Sequence, residues 1–225
     1  MSSVFTELLP LILGAVLAPA WVIIVLLLLA SPGGLAKGAG FVVGMTLTRI
    51  VQGVVFGTLL TSSPEAKAET TGHSPIVATL LLVIGILLLI SAVRKWRKED
   101  DPEDAPPKWM ATIEQASPMK ALGLGALLVA IGPKLWVFTL SALAIITAAE
   151  LGLATSVATY LAYIILAQIA LILAVLVCAI APQAGGALLR GAIGWLMRYN
   201  RPISIVVALV FGLYFSWQGA YKLLT

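Results

Sequence analysis

Charge is the scarcest property of this chain. Of its 225 residues, 14 are Lys or Arg and 10 are Asp or Glu, 11 % together, against roughly 25 % in an average soluble protein. With 60 % apolar residues, there is too little polar surface to cover a water-soluble fold, so an ordinary soluble domain is excluded. Histidine and cysteine occur once each, as His73 and Cys178. No disulfide can close within the chain. A closed zinc centre usually takes several His or Cys ligands, so neither a metal nor another cofactor is expected. The carboxylates Glu7, Glu65, Glu69, Glu99, Asp100, Asp101, Glu103, Asp104, Glu114 and Glu150 all avoid the interiors of the apolar stretches. Without a buried His, Cys or carboxylate constellation there is nothing for acid–base or nucleophilic work, and an enzyme is not expected.

What the chain has is length of apolar run. A helix crossing the hydrocarbon core needs about 20 predominantly apolar residues. Six stretches qualify: Leu8–Ala30, Gly38–Leu60, Ile76–Val93, Ala121–Ala149, Leu151–Ala181 and Pro202–Tyr221. The fourth and fifth are long enough to include a tilt or a turn around Glu150 and Gly152. A cleavable signal peptide is not expected, because no basic region precedes the first stretch and Glu7 does. Lys37, Arg94, Lys95, Arg97, Lys98, Lys108, Lys120, Arg190, Arg198 and Arg201 fall in loops one, three and five, and only Lys67 and Lys222 lie on the other side. The positive-inside rule then predicts a multi-pass plasma (inner) membrane protein with loops one, three and five cytoplasmic and both termini outside. The segment 187–199, with Leu188, Trp195 and Arg198, reads as a short helix at the cytoplasmic interface.

Spacing discloses an internal repeat. Pro19 and Gly38 recur as Pro133 and Gly152, each 114 residues on. Pro75, Ile76, Leu82, Val83, Gly85 and Lys95 recur as Pro202, Ile203, Leu209, Val210, Gly212 and Lys222, each 127 residues on. An insertion at 182–199 accounts for the change of offset. Three spans per repeat force the second copy upside down, the plan in which a substrate site lies at the midplane between halves. The expected fold is thus an all-α membrane protein of six transmembrane helices in two inverted three-helix repeats, residues 1–98 and 120–225, joined by a cytoplasmic linker, 99–119.

The costly residues point to the cargo. Pro19 and Pro133 each remove a helix hydrogen bond, freeing the carbonyls of Ala15 and Val129. A plain kink would explain either one alone; their paired positions favour a functional break. Arg49 and Lys134 lie deep in spans, where a cation costs at least about 2.5–3.5 kcal/mol. Snorkelling serves cations near helix ends, and neither lies near one. Lacking buried carboxylates, they can face freed carbonyls, water or an anion that comes and goes. Arg offers a bidentate fork to phosphate or carboxylate, Lys a point charge. Thr46, Arg49 and Gln52 share a helix face, and the fifth stretch adds Tyr160, Tyr163 and Gln168, with Tyr163 the repeat counterpart of Arg49. Any single polar neighbour also fits a routine interhelical hydrogen bond. The pairs Gly40–Gly44 and Gly53–Gly57 suit close helix contact within the fold or in a homodimer.

The run Ile131-Gly132-Pro133-Lys134-Leu135, with Leu17-Ala18-Pro19-Ala20 in the first stretch, resembles the motifs of the lysine-exporter (LysE) superfamily of six-span transporters. Within it, the chain length and the long charged central loop look most like the peptidoglycolipid-addressing (GAP) family, whose members are linked to moving polar lipids or glycolipids toward the cell surface. Gly132 stands where the superfamily has Asn, and Ala18 and Ala20 where amino-acid exporters are richer in Gly; these departures bear on amino-acid export, not on the fold. The resemblance implies roles for Pro19, Pro133 and Lys134, with Gly132 beside the second hinge. Together these features lead to the expectation of an exporter or flippase for an anionic, lipid- or glycolipid-linked substrate. It would bind at Lys134, Arg49, Gln52, Thr46, Tyr163 and Gln168 and work by alternating access. Export of a small soluble solute such as an amino acid, and a non-transporting helper subunit in a larger lipid-export machinery, remain alternatives. The expected partners are membrane lipids and the substrate. The net charge of +4, spent mostly on topology, gives no reason to expect nucleic acid.

Overall fold

The computed structural model describes residues 2–17, 19–62, 75–97 and 115–224. Lys98, most of the expected linker with Lys108, and the segment carrying Glu65, Lys67, Glu69 and His73 fall outside the described residues. Every element described is a helix: α1 Ser2–Val16, α2 Pro19–Ala30, α3 Gly34–Ser62, α4 Pro75–Arg97, α5 Pro118–Ile131, α6 Pro133–Ala148, α7 Leu153–Ala167, α8 Ile169–Ile180 and α9 Pro182–Leu224.

Among the described residues, three segments are long and apolar enough to cross a membrane: Gly34–Leu59, Ala78–Arg97 and Gly191–Leu224. The pairs α1/α2 and α7/α8 bend by 52° and 64° at short breaks, and counting each pair as one span gives up to five. α5 and α6 are shorter apolar helices on either side of Gly132. Segment 187–199 is not a separate helix: α9 runs unbroken through Pro202. A proline in a long helix is tolerated where neighbours hold both flanks, and α9 packs along α4 over much of its length.

Small residues set the two main helix pairs. In the α3–α5 pair, the α-carbon of Gly44 faces the Leu122 carbonyl, that of Gly125 faces the Phe41 carbonyl, and that of Gly40 the Pro118 carbonyl. The first glycine pair expected from sequence is thus spent inside the fold. In the α4–α9 pair, Gly85 faces Ser216 and the Gly212 carbonyl, while Gly212 faces Leu89. These contacts are reciprocal, since 85 and 212, and 89 and 216, are each 127 apart. Such swapping of partners is what a twofold axis imposes on an interface.

The core is divided. One cluster gathers Leu8 and Leu11 of α1, Phe138 and Ile145 of α6, Tyr163 and Ile164 of α7, and Phe215. The other gathers Leu28 of α2, Phe41 and Met45 of α3, Val129 of α5 and Leu171 of α8. Of the halves of the broken helices, α1 and α7 join the first cluster and α2, α5 and α8 the second, while α6 gives Leu135 to the second and its remainder to the first. The halves are 12 to 16 residues long, or about 18–24 Å, short of the roughly 30 Å hydrocarbon core. The breaks therefore fall at one level, between the two clusters. Glu7 and Lys222 pair at one end of the bundle at 3.4 Å. At the other, Arg201 donates to the carbonyls of Lys95 and Trp96, both at 3.1 Å.

Candidate functional site

Each break has its own chemistry. Pro19 and Pro133 are not kinks inside helices but the first residues of α2 and α6, where the missing N–H costs nothing. Gly132 caps both α5 and α6 in extended conformation (φ −77°, ψ 101°). The carbonyls at the end of α5 find new donors. Leu128 accepts from the Gly132 N–H at 3.0 Å, Val129 from Gln52 Nε2 at 3.4 Å, and Ala130 from Trp136 Nε1 at 2.7 Å. The carbonyl freed by Pro133 is thus satisfied by a side chain from another helix, as a membrane interior demands. The third break, at Gln168 (φ −113°, ψ 9°), has no proline. Its N–H reaches the carbonyls of Ile165, at 3.2 Å, and Leu166, a tight last turn that releases the helix axis.

Arg49 sits on α3 at the level of these breaks and is 2 % exposed. Among the described residues, its Nε and Nη1 have no hydrogen-bond partner. The Tyr163 phenol faces its guanidinium and donates to the Phe138 carbonyl at 3.2 Å. Tyr160 donates to the Arg49 carbonyl at 2.7 Å, and the two tyrosine rings stack with centroids 6.1 Å apart. Gln168 donates to Thr46 Oγ1 at 3.3 Å, while its own Oε1 lacks a donor among the described residues. Arg49 and Gln168 line one small cavity with Ala15 and Trp21 from the α1/α2 break. Its volume is about 10 Å³, room for a single water at most. The described acids, Glu7 and Glu150, lie at an end of the bundle and on the α6–α7 turn, so no described carboxylate neutralises the guanidinium. What this arrangement can do is donate hydrogen bonds to an anion.

Two larger cavities flank the cation. One of about 540 Å³ lies between α3, α6 and α7, reaches from Ile50 and Tyr160 to Glu150 and Gly152, and is lined mostly by apolar groups. The other, about 210 Å³, is lined by Pro19, Ser91, Lys95 and Ser204 and shares Ala15 and Trp21 with the Arg49 cavity. Arg49 thus stands between them, behind the tyrosine pair on one side and behind Trp21 on the other.

Of the residues expected to bind substrate, the fold brings Arg49, Tyr163, Thr46 and Gln168 together. Gln52 is buried nearby but turned to the Val129 carbonyl. Lys134 follows Pro133 in the first turn of α6; its side chain lies outside the described residues. Sequence reading missed Thr139 and Ser141 of α6. Both are buried, with hydroxyls unpartnered among the described residues, and nothing in their spacing sets them apart from ordinary helix Ser and Thr, which bond the preceding turn.

Residues 8–221 match the family model SfLAP, described as Sap, sulfolipid-1-addressing protein. The chain belongs to this family. No curated protein and no solved structure matches it. The Sap-family match runs from α1 to the last turn of α9 and contains all three breaks and Arg49, so the site lies inside the region that defines the family. Membership is consistent with the GAP-like resemblance of the Pro19 and Pro133 motifs and with a membrane protein linked to lipid addressing.

Proposed function

We propose that this protein is an exporter or flippase that carries an anionic, lipid-linked substrate across the plasma membrane, its headgroup passing Arg49 and Lys134. The observation that carries the reading is Arg49, a buried cation with two donors unpartnered among the described residues at the meeting of three helix breaks. A buried cation without a fixed carboxylate is costly, and a passing anion is the partner that would offset that cost. The family name supports the choice of anion, because a sulfolipid carries a sulfated, negatively charged headgroup. The exposed apolar rim of the larger cavity, with Val54 62 % and Val157 49 % exposed, favours a lipid over a soluble solute.

In this reading α5 and α6 form a third broken span, giving six, and the chain is a member of the LysE superfamily with the orientation drawn from its basic loops. The reciprocal Gly85 and Gly212 contacts support two inverted repeats about an axis through the α4–α9 pair. The cavities on either side of Arg49 then serve as the two access routes of an alternating cycle.

The test is transport by the purified protein in liposomes, following a fluorescent sulfated glycolipid between leaflets with a membrane-impermeant quencher. Wild type should speed equilibration, and Arg49→Ala and Lys134→Ala should abolish it while protein content is unchanged. Undiminished flipping in both variants would remove the site; an inert wild type revived only by other components would make the protein a helper subunit.

A further inference from the structure

The family name and the buried cation speak to a headgroup; the cavity between α3, α6 and α7 speaks to something else. Its volume of about 540 Å³ is within the roughly 300–1,000 Å³ of sites that bury an organic ligand. Ile50, Val54, Leu143, Ile146 and Leu161 make it apolar. Two glycines one turn apart, Gly53 and Gly57, form its α3 wall. They differ in kind. A side chain at Gly53 would strike the Tyr160 ring, so that glycine lets the two helices approach. Among the described residues, a side chain at Gly57 would meet nothing within 4 Å. Packing does not require glycine there, and the missing side chain leaves open space in the groove.

We propose that this groove binds an acyl chain of an anionic lipid, and that Gly57 sets the room for it. The inference rests on the lipid-transport reading and adds a second, apolar subsite to it. Three features select this occupant. The groove lies between membrane-spanning segments, where acyl chains are the apolar molecules at hand. Its side opening is rimmed by exposed Val54 and Val157, so a chain can slide in from the bilayer without crossing water. Its polarity is uneven along its length, with the Glu150 carboxylate at the outer end and at the inner end Tyr160, hydrogen-bonded to the Arg49 backbone carbonyl. An anionic headgroup is repelled from the Glu150 end, which orients the lipid with its head toward Tyr160, behind which Arg49 lies in its own cavity.

The experiment uses the full chain in phosphatidylcholine nanodiscs and a C16 fatty acid with a diazirine at its terminal carbon, which combines a carboxylate with one chain. After illumination, adducts are mapped by peptide mass spectrometry. Adducts should concentrate on residues 50–58 and 143–161. Gly57→Phe should cut them at least fivefold, and Gly57→Leu should cut them less. Gly123 of α5, also with nothing within 4 Å of an added side chain and exposed, is the control: Gly123→Phe should leave the groove adducts at the wild-type level. Groove labelling no denser than on the lipid-facing side of α5, or unchanged in Gly57→Phe, overturns the proposal. Labelling needs no transport. Strong groove adducts in a protein that moves no lipid would sink the transport reading and keep the subsite; flipping by wild type and Gly57→Phe alike, without groove adducts, would do the reverse.

Discussion

Replacing Arg49 with methionine should make the protein more stable and inactive. The side chains are of similar length, so the change removes charge and donors with little change in packing. An arginine at a membrane-helix centre costs about 2.5–3.5 kcal/mol on insertion scales. Here the cost is only partly offset, because the Tyr163 phenol faces the guanidinium while Nε and Nη1 lack partners among the described residues. Allowing for that contact, Arg49→Met should gain about 1–3 kcal/mol, in the range found when buried ionic groups give way to apolar ones. For a chain of this size that is a rise of roughly 2–10 °C in Tm. The assay is thermal unfolding in detergent micelles, followed by near-UV circular dichroism in chloride and again in sulfate. Sulfate stabilises most proteins nonspecifically, so the quantity read is the difference between variants. An anion at ten times its Kd adds about 1.4 kcal/mol to a protein that binds it, and only wild type should show that increment. A lower Tm for Arg49→Met in chloride would refute the reasoning, because it would mean that the neighbours of the guanidinium already repay its burial and no place is kept for an anion.

Two other substitutions test the frame around the site. Gln52→Leu leaves the Val129 carbonyl without its side-chain donor and should cost about 1–3 kcal/mol, read as a lower Tm in the same micelles; no loss would mean that the broken helix satisfies itself. Gly44→Leu drives a side chain into the Leu122 carbonyl and should abolish monodisperse protein on size-exclusion chromatography, since overpacking costs about 1–3 kcal/mol even where side chains can yield and a backbone carbonyl in a helix cannot.

Much of this arrangement can be read from the chain before folding, and the limits of the reading are physical. Pro19 and Pro133 suit helix starts because a proline has no N–H to give, whereas Pro10 and Pro202 stay inside helices, so the residue alone does not fix a break. The break at Gln168 carries no such mark: it follows from where α7 and α8 pack, α7 against α1 and α6 and α8 against α2 and α3. Gly40 and Gly44 announce a close contact but not its partner, because small residues fit any helix that comes near; only the fold shows that α5 fills the place. Spacing puts Gln52 on the face of Arg49, yet it cannot show that a carbonyl freed 77 residues away takes up its amide. Thr139 and Ser141 were invisible for a related reason, since burial without a partner is a tertiary fact.

That fate of Gln52 narrows the question of Arg49. Before folding, its charge could be met by carbonyls freed at the proline breaks, by water or by a transient anion. At the α5/α6 break the exposed carbonyls are taken: Leu128 by Gly132, Val129 by Gln52 and Ala130 by Trp136. The cavity beside the guanidinium holds at most one water, which could join Arg49 to the unpartnered Oε1 of Gln168 but is too small to stand for bulk solvent. An anionic headgroup is far larger than 10 Å³. It can reach Arg49 only if the groups around it move: Trp21 at the α1/α2 break, which lines both this cavity and the second one, and, toward the apolar groove, the Tyr160–Tyr163 stack bonded to the Arg49 backbone. Both closures hang on helix breaks, α7 above Gln168 and the start of α2 at Pro19, where no continuous helix resists rotation. In the proposed cycle this structure is the closed member, and the same breaks that keep the cation from its usual partners are the places where the walls around it would open.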